Sequence, residues 1–427
     1  MSTSTSIEGS LVLGGFPLER VLPALRALEP AARAAYVLDL DAVVERARRL
    51  HAAFSPHRAL AAYALKANAL PMLTQRVAGV GLGGEAGSVG ELELARAAGF
   101  DATRRVLNGN GRTPEEAAWV AEHGVHSVNA DHVGELDVLE RAAAARRAHV
   151  RVALRVNPGI GVDVHRYIVT GDDEAKFGIS PAEALDAWAA RASWPHLQLD
   201  GIHLHIGSQL MDTGPILEAL DVALALGRES AGRGAALGLI NLGGGFGIDY
   251  QGEGREFPLE AHADGLAERV RGLAVDLVVE PGRWLVAPTC LLLAEVLAVK
   301  PRGGRRFIVL AAGMNDLIRP ALYQARHRIE PLRPRAGERT QATVVGPVCE
   351  SADVFADEVV LPPLEVGDVV AIHDVGAYGA SMSSNYNGRG RLAELVIEGG
   401  RLIRARAGET TADLMRGASS DVLDAGA

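Results

Sequence analysis

Short apolar runs alternate with longer amphipathic stretches from about residue 60 to residue 283, and this pattern constrains the fold of the 427-residue chain most. The short runs have the length of β-strands, and the stretches between them are rich in Ala, Leu, Glu and Arg. The predicted strands are Leu60–Leu65, Val80–Gly84, Arg105–Leu107, Ser127–Val128, Val150–Val156, Leu199–Ile206, Leu237–Leu242 and Asp276–Val279. The predicted helices include Pro114–Glu122, His132–Ala145, Pro181–Arg191, Leu217–Ala231 and Leu259–Leu273. Eight strand–helix units in succession predict a TIM-like parallel (β/α)8 barrel.

The chain after the barrel has a different pattern, because its short strands come without long helices between them. These predicted strands are Arg306–Leu310, Ala342–Val348, Asp357–Leu361, Asp368–Ala371 and Leu392–Ile397. They predict a C-terminal, mostly antiparallel β domain. The segment Leu11–Leu40 cannot form a barrel unit by itself. The predicted domains are therefore an N-terminal segment that packs on the β domain (residues 1–40), the barrel (residues 41–285) and the β domain (residues 286–427).

The composition narrows the possible functions and partners. The formal net charge of −10 argues against nucleic acid as the main partner. The apolar runs are shorter than the ~18 residues that span a bilayer, and the first ten residues do not have the composition of a signal peptide. Cys290 and Cys349 do not form a disulfide framework and suit a reducing cytoplasm. We also expect no metal site, because no Cys/His spacing is typical of zinc ligands.

Lys66 is the most informative single residue. Only three of the 43 basic residues are lysines, namely Lys66, Lys176 and Lys300. Lys66 ends an apolar run, where desolvation lowers the pKa of an amine and makes it a nucleophile for Schiff-base chemistry. The alternative is a lysine at a strand end that reaches into solvent, and position alone favours that alternative.

Polar residues collect where the predicted barrel strands end. In a parallel barrel these ends lie on one rim, which is where active sites are found. Scattered structural residues would not all fall on this rim. The residues concerned are Lys66, Glu85, Ser88, Asn108, Asn129, Asn157, His205, Ser208, the loop Gly243–Gly247, Glu280 and Arg283.

The last two strand ends predict a phosphate site beside an acid. Barrels often bind phosphate in the loops after strands seven and eight, where Gly243–Gly247 offers backbone N–H groups and Arg283 a bidentate donor. Glu280 would be an odd choice for phosphate alone, but a carboxylate that faces a pyridine nitrogen keeps this nitrogen protonated. Together with Lys66, these features predict pyridoxal 5'-phosphate (PLP) as the cofactor.

The motifs resemble those of the fold-type III PLP decarboxylases, the family of diaminopimelate, ornithine and arginine decarboxylases. In the barrel the motifs are Tyr63-Ala-Leu-Lys-Ala-Asn68, His203-Leu-His-Ile-Gly-Ser-Gln209, Gly243-Gly-Gly-Phe-Gly247 and Glu280-Pro-Gly-Arg283. Three further motifs begin at Gly313, Gly346 and Gly376, and they are most similar to those of diaminopimelate decarboxylases. The resemblance runs from about Ala35 to Ile397 and implies the alanine racemase/ornithine decarboxylase-like fold.

The resemblance also implies a role for each site residue. Lys66 would form the Schiff base, His205 would stack on the cofactor and Glu280 would pair with its ring nitrogen. The phosphate would lie among Ser208, Gly244, Gly245, Gly247, Arg283 and Tyr378. The substrate would contact Arg283, Arg319, Tyr323, Glu350 and Tyr378. Cys349 would be the proton donor and would reach the active site of a partner subunit in a homodimer.

The implied reaction is the decarboxylation of meso-2,6-diaminopimelate to L-lysine. The far end of this substrate carries a carboxylate and an ammonium. Arg319 suits the carboxylate, and Glu350 suits the ammonium. Three departures leave a shifted specificity open, for example in natural-product synthesis. The stretch after Asn68 reads Ala-Leu-Pro-Met rather than the common Pro-rich form. Ala311 stands where the family usually has an acid, and Glu85 stands where ornithine-type enzymes have Asp.

Three alternatives stay open. The first is a related decarboxylase that acts on lysine, ornithine, a carboxylated polyamine or a natural-product intermediate. The second is a non-catalytic PLP-binding protein, but such proteins are shorter and lack the β domain. The third is a racemase of the alanine type, which would need a tyrosine as its second base rather than Cys349 and Glu350.

Overall fold

The computed structural model describes residues 4–7, 10–157, 177–302 and 305–420. The chain divides into two compact units. The first comprises Leu40–Thr289 and Gly376–Ser381. The second comprises Ser4–Asp39, Cys290–Val375 and the chain from Met382 onward.

The first unit is a closed barrel of eight parallel strands, so the predicted barrel is confirmed. Seven predicted strands overlap the observed ones closely, but the second was placed too early. Val80 ends a helix, and Gly81 adopts φ 96° to leave it, so the strand begins only at Gly83. The strands are Ala59–Ala64, Gly83–Ala86, Arg105–Leu107, Ser127–Ala130, Val150–Arg155, Leu197–His203, Leu239–Asn241 and Asp276–Val279.

Helices follow the strands and pack around the barrel. Two of them begin with a capping box and a proline in the first turn, at Thr113–Pro114 and Ser180–Pro181, which satisfies N–H groups that a helix start leaves open. Three helices beyond those named from the sequence are Leu40–Phe54, Pro71–Val80 and Val89–Ala98. The remaining helices are Pro114–His123, Gly134–Arg146, Pro181–Ala189, Gly214–Gly232, Leu259–Arg269 and Arg283–Val286.

A layer of apolar side chains fills the barrel. It is formed by Ala62, Val106, Ala153, Leu239 and Val278, which are all fully buried. Four of these lie on the first, third, fifth and seventh strands, as expected when alternate strands supply one layer. The polar residues at the strand ends therefore lie next to a packed apolar core, and the barrel interior beneath them is not an open channel.

The second unit is built around a nine-stranded sheet. Its longest strand, Cys290–Arg302, pairs antiparallel with Ala34–Asp39, Arg305–Leu310 and Val369–Ile372. The other strands are Ile329–Pro331, Thr340–Val345, Val354–Leu361, Glu394–Glu398 and Arg401–Arg406. Short helices lie at Val21–Arg26, Arg319–Tyr323 and Thr411–Leu414.

Most pairings in this sheet are antiparallel, as predicted, but two are parallel and make the sheet mixed. Thr343–Val345 runs parallel to Phe307–Val309, and Glu394–Ile397 runs parallel to Tyr36–Asp39. A parallel neighbour needs a long connection, and the second pair is joined through the whole barrel. Local sequence patterns carry no signal for such a pairing.

The N-terminal segment contributes both a strand and core residues to the second unit. Ala34–Asp39 lies between Cys290–Arg302 and Glu394–Glu398 in the sheet. Leu13, Leu18 and other N-terminal residues join the apolar core of the sheet. Ser4–Ile7, Ser10–Leu13 and Phe16–Pro17 form a small sheet of their own. Within the described ranges, no helix has the length and apolarity to span a membrane.

Candidate active site

Lys66 lies in a short turn, Leu65–Ala67, directly after the first barrel strand. Its side chain is 52 % exposed, and Nζ lies 3.5 Å from Oε2 of the buried Glu85. This carboxylate raises the pKa of Lys66 above its ordinary value and outweighs burial, which lowers it. The expectation of a depressed lysine pKa is therefore wrong, because the sequence does not show that strand two places a carboxylate beside the amine.

The turn that carries Lys66 is fixed to a distant piece of chain. Asn68 Nδ2 donates to the carbonyl of Gly376 at 3.1 Å, and the backbone N–H of Tyr378 donates to the carbonyl of Ala67 at 2.9 Å. Tyr378 itself adopts φ 61°, an uncommon conformation for a bulky residue. These bonds bring Tyr378 to Lys66, although more than 300 residues separate them in the sequence.

Three asparagines hold the carboxylate of Glu280 at the barrel end. Asn241 and Asn129 donate to Oε1 at 2.7 and 3.2 Å, and Asn108 donates to Oε2 at 2.9 Å. The same Asn108 amide also donates to Oε1 of Glu85 at 2.8 Å. All five side chains are buried, so the direction of each carboxylate is fixed.

The pKa of Glu280 is raised above its usual range. Burial is the main cause and the charge of Glu85 adds to it, while Lys66 and the asparagine amides act in the opposite direction. A protonated ring nitrogen facing this carboxylate would stabilise its ionised form. The site therefore fits a ligand with a basic heteroaromatic nitrogen.

His205 is held as a neutral ring. The backbone N–H of Gly244 donates to Nδ1 at 3.2 Å, so this nitrogen carries a lone pair. Burial, with smaller contributions from the charges of Arg155 and Lys66, lowers the pKa of His205 to about 3. An uncharged imidazole of fixed orientation can pack against an aromatic ligand.

Arg283 provides a rigid cation for an anionic group. Nη1 donates to the hydroxyl of Tyr250 at 2.8 Å and Nη2 donates to the hydroxyl of Ser208 at 3.0 Å. The guanidinium carbon lies 5.1 Å from the centre of the Tyr378 ring. Arg283 is 8 % exposed, so its charge acts in a poorly solvated place, where it binds an anion strongly.

The glycine loop after strand seven needs its glycines. A Cβ on Gly244 would lie 2.3 Å from the carbonyl oxygen of Glu280, and Gly245 adopts φ 105°. No other residue type suits either position without moving the backbone. The loop can therefore bring its backbone close to a bound group.

One cavity of the barrel unit joins these features, and its lining fits PLP. An amine, a fixed carboxylate, a neutral ring, an arginine and a glycine loop face the same space, as this cofactor requires. Gly247 does not line the cavity, and its N–H donates to the carbonyl of Leu210 at 2.8 Å. The lining residues are Ala64, Lys66, His205, Ser208, Gly244, Gly245, Phe246, Glu280, Gly282, Arg283 and Tyr378.

The other residues implied by the resemblance lie in the second unit. Arg319 and Tyr323 are on the helix Arg319–Tyr323, and Arg319 is only 4 % exposed. Cys349 and Glu350 are exposed in the loop after Thr340–Val345, where the N–H of Cys349 donates to Oδ1 of Asn387 at 2.8 Å.

Four polar residues near the cavity were not among the predicted site residues. His203 and Asn241 end strands six and seven, so the rule that found Asn108 would have found them too. Arg155 ends strand five and therefore follows the same rule, whereas Tyr250 lies in a loop, where no periodic pattern marks it. Ser88 has a structural role, because its hydroxyl caps the helix Val89–Ala98.

Residues 40–287 match the family described as "Pyridoxal-dependent decarboxylase, pyridoxal binding domain". The chain belongs to this family of pyridoxal-dependent decarboxylases. Among its relatives, a diaminopimelate decarboxylase of Pseudomonas fluorescens is 41 % identical over 366 residues, which are 85 % of this chain and 87 % of that protein.

Solved structures give the same relationship. A diaminopimelate decarboxylase of Helicobacter pylori complexed with L-lysine is 35 % identical with a TM-score of 0.86, over 92 % of this chain and 98 % of that one. The enzyme of M. jannaschii in complex with L-lysine is 32 % identical with a TM-score of 0.89, over 99 % and 98 % of the two chains. The predicted family, fold class, carboxy-lyase class and PLP cofactor are confirmed.

Proposed function

We propose that this protein decarboxylates meso-2,6-diaminopimelate to L-lysine and carbon dioxide, as a step of lysine biosynthesis. The similarity to diaminopimelate decarboxylases over most of both chains carries this proposal. The structures of two relatives contain L-lysine, which is the product of the proposed reaction.

The residues of the barrel cavity would hold the cofactor. Lys66 would bind its aldehyde carbon covalently and Glu280 would face its ring nitrogen. Ser208, Arg283, Tyr378 and the glycine loop, through Gly244 and Gly245, would surround its phosphate. When bound, PLP supplies an electron sink for the pair left by the broken bond between Cα and the carboxylate.

The barrel residues also control protons. Lys66 must lose a proton before Nζ can act as a nucleophile, and Oε2 of Glu85, 3.5 Å away, can accept it. Glu280 remains ionised only while a positive group faces it, because burial raises its pKa. The asparagines keep both carboxylates from turning away.

Arg319, Tyr323 and Glu350 of the second unit would contact the substrate, as would Arg283 and Tyr378 of the first. Arg319, together with Arg283, suits a carboxylate, and Glu350 suits the ammonium at the far end of meso-diaminopimelate. Tyr323 and Tyr378 complete this set, and the thiol of Cys349 would return a proton to Cα. Among them, Arg319 is buried and Cys349 is exposed.

We further propose a homodimer in the cytoplasm, in which Cys349 and Glu350 act at the active site of the partner subunit. Their exposed position in a loop leaves them accessible to a second chain. A two-fold dimer would give two equal sites. The unpaired Cys290 and Cys349 suit a reducing compartment.

A substrate panel tests the proposed reaction. Purified protein loaded with PLP is offered meso-diaminopimelate, lysine, ornithine and arginine, and release of carbon dioxide is measured. We expect turnover of meso-diaminopimelate well above that of the others, because a site that pairs a distal carboxylate rejects ligands without it. The variant Glu280→Gln should keep the cofactor but lose at least ~10²-fold in rate. A preference for ornithine or arginine would contradict the proposal.

A further inference from the structure

Arg319 is held by a histidine that the proposed function does not use. In the second unit, Nη1 of Arg319 lies 2.8 Å from Nε2 of His327. Both side chains are buried, at 4 % and 6 % exposure. Direct contact between a buried guanidinium and an imidazole requires a defined protonation state of the ring.

The second ring nitrogen defines this state. His327 Nδ1 lies 2.8 Å from the carbonyl oxygen of His373. A carbonyl only accepts, so Nδ1 carries the hydrogen and Nε2 carries the lone pair that accepts from Arg319. A cationic ring would instead point an N–H at the guanidinium and place two positive charges side by side.

The carbonyl of His373 is itself fixed by the sheet. The backbone N–H of His373 donates to the carbonyl of Arg328 at 2.9 Å, next to the antiparallel pair Ile329–Pro331 and Val369–Ile372. Nη2 of Arg328 lies 2.8 Å from Nδ1 of the His373 ring. A continuous chain of hydrogen bonds therefore runs from the sheet backbone through His327 to the guanidinium of Arg319.

We propose that His327 is a positioning residue, which fixes the direction of the Arg319 guanidinium through its Nε2 lone pair. Arginine has a long side chain with several rotatable bonds, and a fixed guanidinium loses less entropy when it binds a carboxylate. The inference rests on the proposed function, in which Arg319 binds the distal carboxylate of the substrate. It adds the residue that holds this arginine in the direction from which it binds the carboxylate.

Two amide variants separate the two hydrogen bonds of the ring. In His327→Gln the amide oxygen can replace Nε2 and still accept from Arg319. In His327→Asn the shorter amide can replace Nδ1 toward the His373 carbonyl, but it lacks an acceptor in the place of Nε2, which contacts Nη1 of Arg319. We expect His327→Asn to raise KM for meso-diaminopimelate roughly tenfold, as for loss of a hydrogen bond to a charged group, with a smaller effect on kcat. His327→Gln should restore KM to within about threefold of wild type.

Controls distinguish this inference from the proposed function. Arg319→Ala should raise KM for meso-diaminopimelate, and His327→Asn should add nothing further in that background. If Arg319→Ala leaves KM unchanged, the role of Arg319 in the proposed function is wrong. If Arg319→Ala raises KM but His327→Asn does not, only the positioning role of His327 is wrong.

A measurement on the wild-type protein does not depend on the variants folding. Nitrogen NMR of the protein with labelled histidine should show His327 protonated at Nδ1 and unprotonated at Nε2. The signal is assigned by its loss in His327→Gln. A hydrogen on Nε2 would overturn the inference, because this nitrogen could then not accept from Arg319.

Discussion

Lys66 keeps its proton because Oε2 of Glu85 lies 3.5 Å from Nζ. Asn108 links this carboxylate to Glu280, so the proposed nucleophile and the carboxylate proposed to face the ring nitrogen are connected through one asparagine. A change in one charge of this group changes the protonation of the others. At the residue scale, the protonation of Lys66 therefore depends on the neighbouring carboxylates and not on the lysine alone.

Removing the charge of Glu85 should lower the pKa of Lys66. The carboxylate is the main cause that raises it, so in Glu85→Gln the free amine should appear at lower pH than in wild type. The rate at which the cofactor-free protein forms its Schiff base, measured against pH, reports this change. Glu85→Asp, which keeps the charge, serves as the matched control. An unchanged pH midpoint in Glu85→Gln would show that Glu85 does not govern the lysine.

At the scale of elements, hydrophobic patterns predicted the strands that a short run of neighbouring residues defines. All eight barrel strands were found, since each is a short apolar run, but Val80–Gly84 included the end of a helix. The strand Cys290–Arg302 was missed because its first seven residues, Cys290–Val296, are all buried and show no alternation. The parallel pairing of Ala34–Asp39 depends on residues more than 350 positions away.

The candidate site shows the same division between local and distant information. The rule about strand ends predicted Lys66, His205 and Glu280, which line one cavity. Their pKa values could not be predicted, because the burial of His205 and Glu280 and the charge of Glu85 beside Lys66 arise only in the folded barrel. The bond between His327 and Arg319 joins residues eight positions apart, but no periodic pattern marks it.

The segment Gly376–Ser381 belongs to the barrel unit only through contacts such as that of Asn68 with Gly376. Asn68→Ala should therefore weaken the position of Tyr378 and raise the dissociation constant of PLP roughly tenfold, as for one lost buried hydrogen bond. Titration of cofactor release measures this constant. Ser381→Ala, which removes a second bond to the carbonyl of Ala67, should have a smaller effect. Equal affinity of Asn68→Ala and wild type would mean that Asn68 does not hold the segment.

At the scale of the whole molecule, a buried histidine makes stability depend on pH. His262 is 0 % exposed among Phe246 and Phe257, with ring centres 5.1 and 5.3 Å away, and neither of its ring nitrogens has a hydrogen-bond partner in the described part of the chain. Burial lowers the pKa of His262 from 6.5 to about 4. The unfolded chain therefore takes up a proton first as pH falls.

The contribution of His262 to the free energy of unfolding is present above about pH 6.5 and is lost as pH falls toward about 4. A shift of this size corresponds to roughly 3 kcal/mol. His262→Phe keeps an aromatic ring without a titrating group, so its stability should fall less over this range. Denaturant unfolding of both proteins across the range measures the difference. Parallel pH profiles of the two proteins would show that His262 does not cause the acid sensitivity.

The central claim is that the barrel cavity at Lys66 is where this decarboxylase holds its cofactor. The chain has only three lysines, which makes the attachment site easy to map. Borohydride reduction of the PLP-loaded protein, followed by digestion and mass spectrometry, should place the pyridoxyl group on Lys66. The modification on Lys176 or Lys300, with Lys66 unmodified, would contradict the assignment of the site.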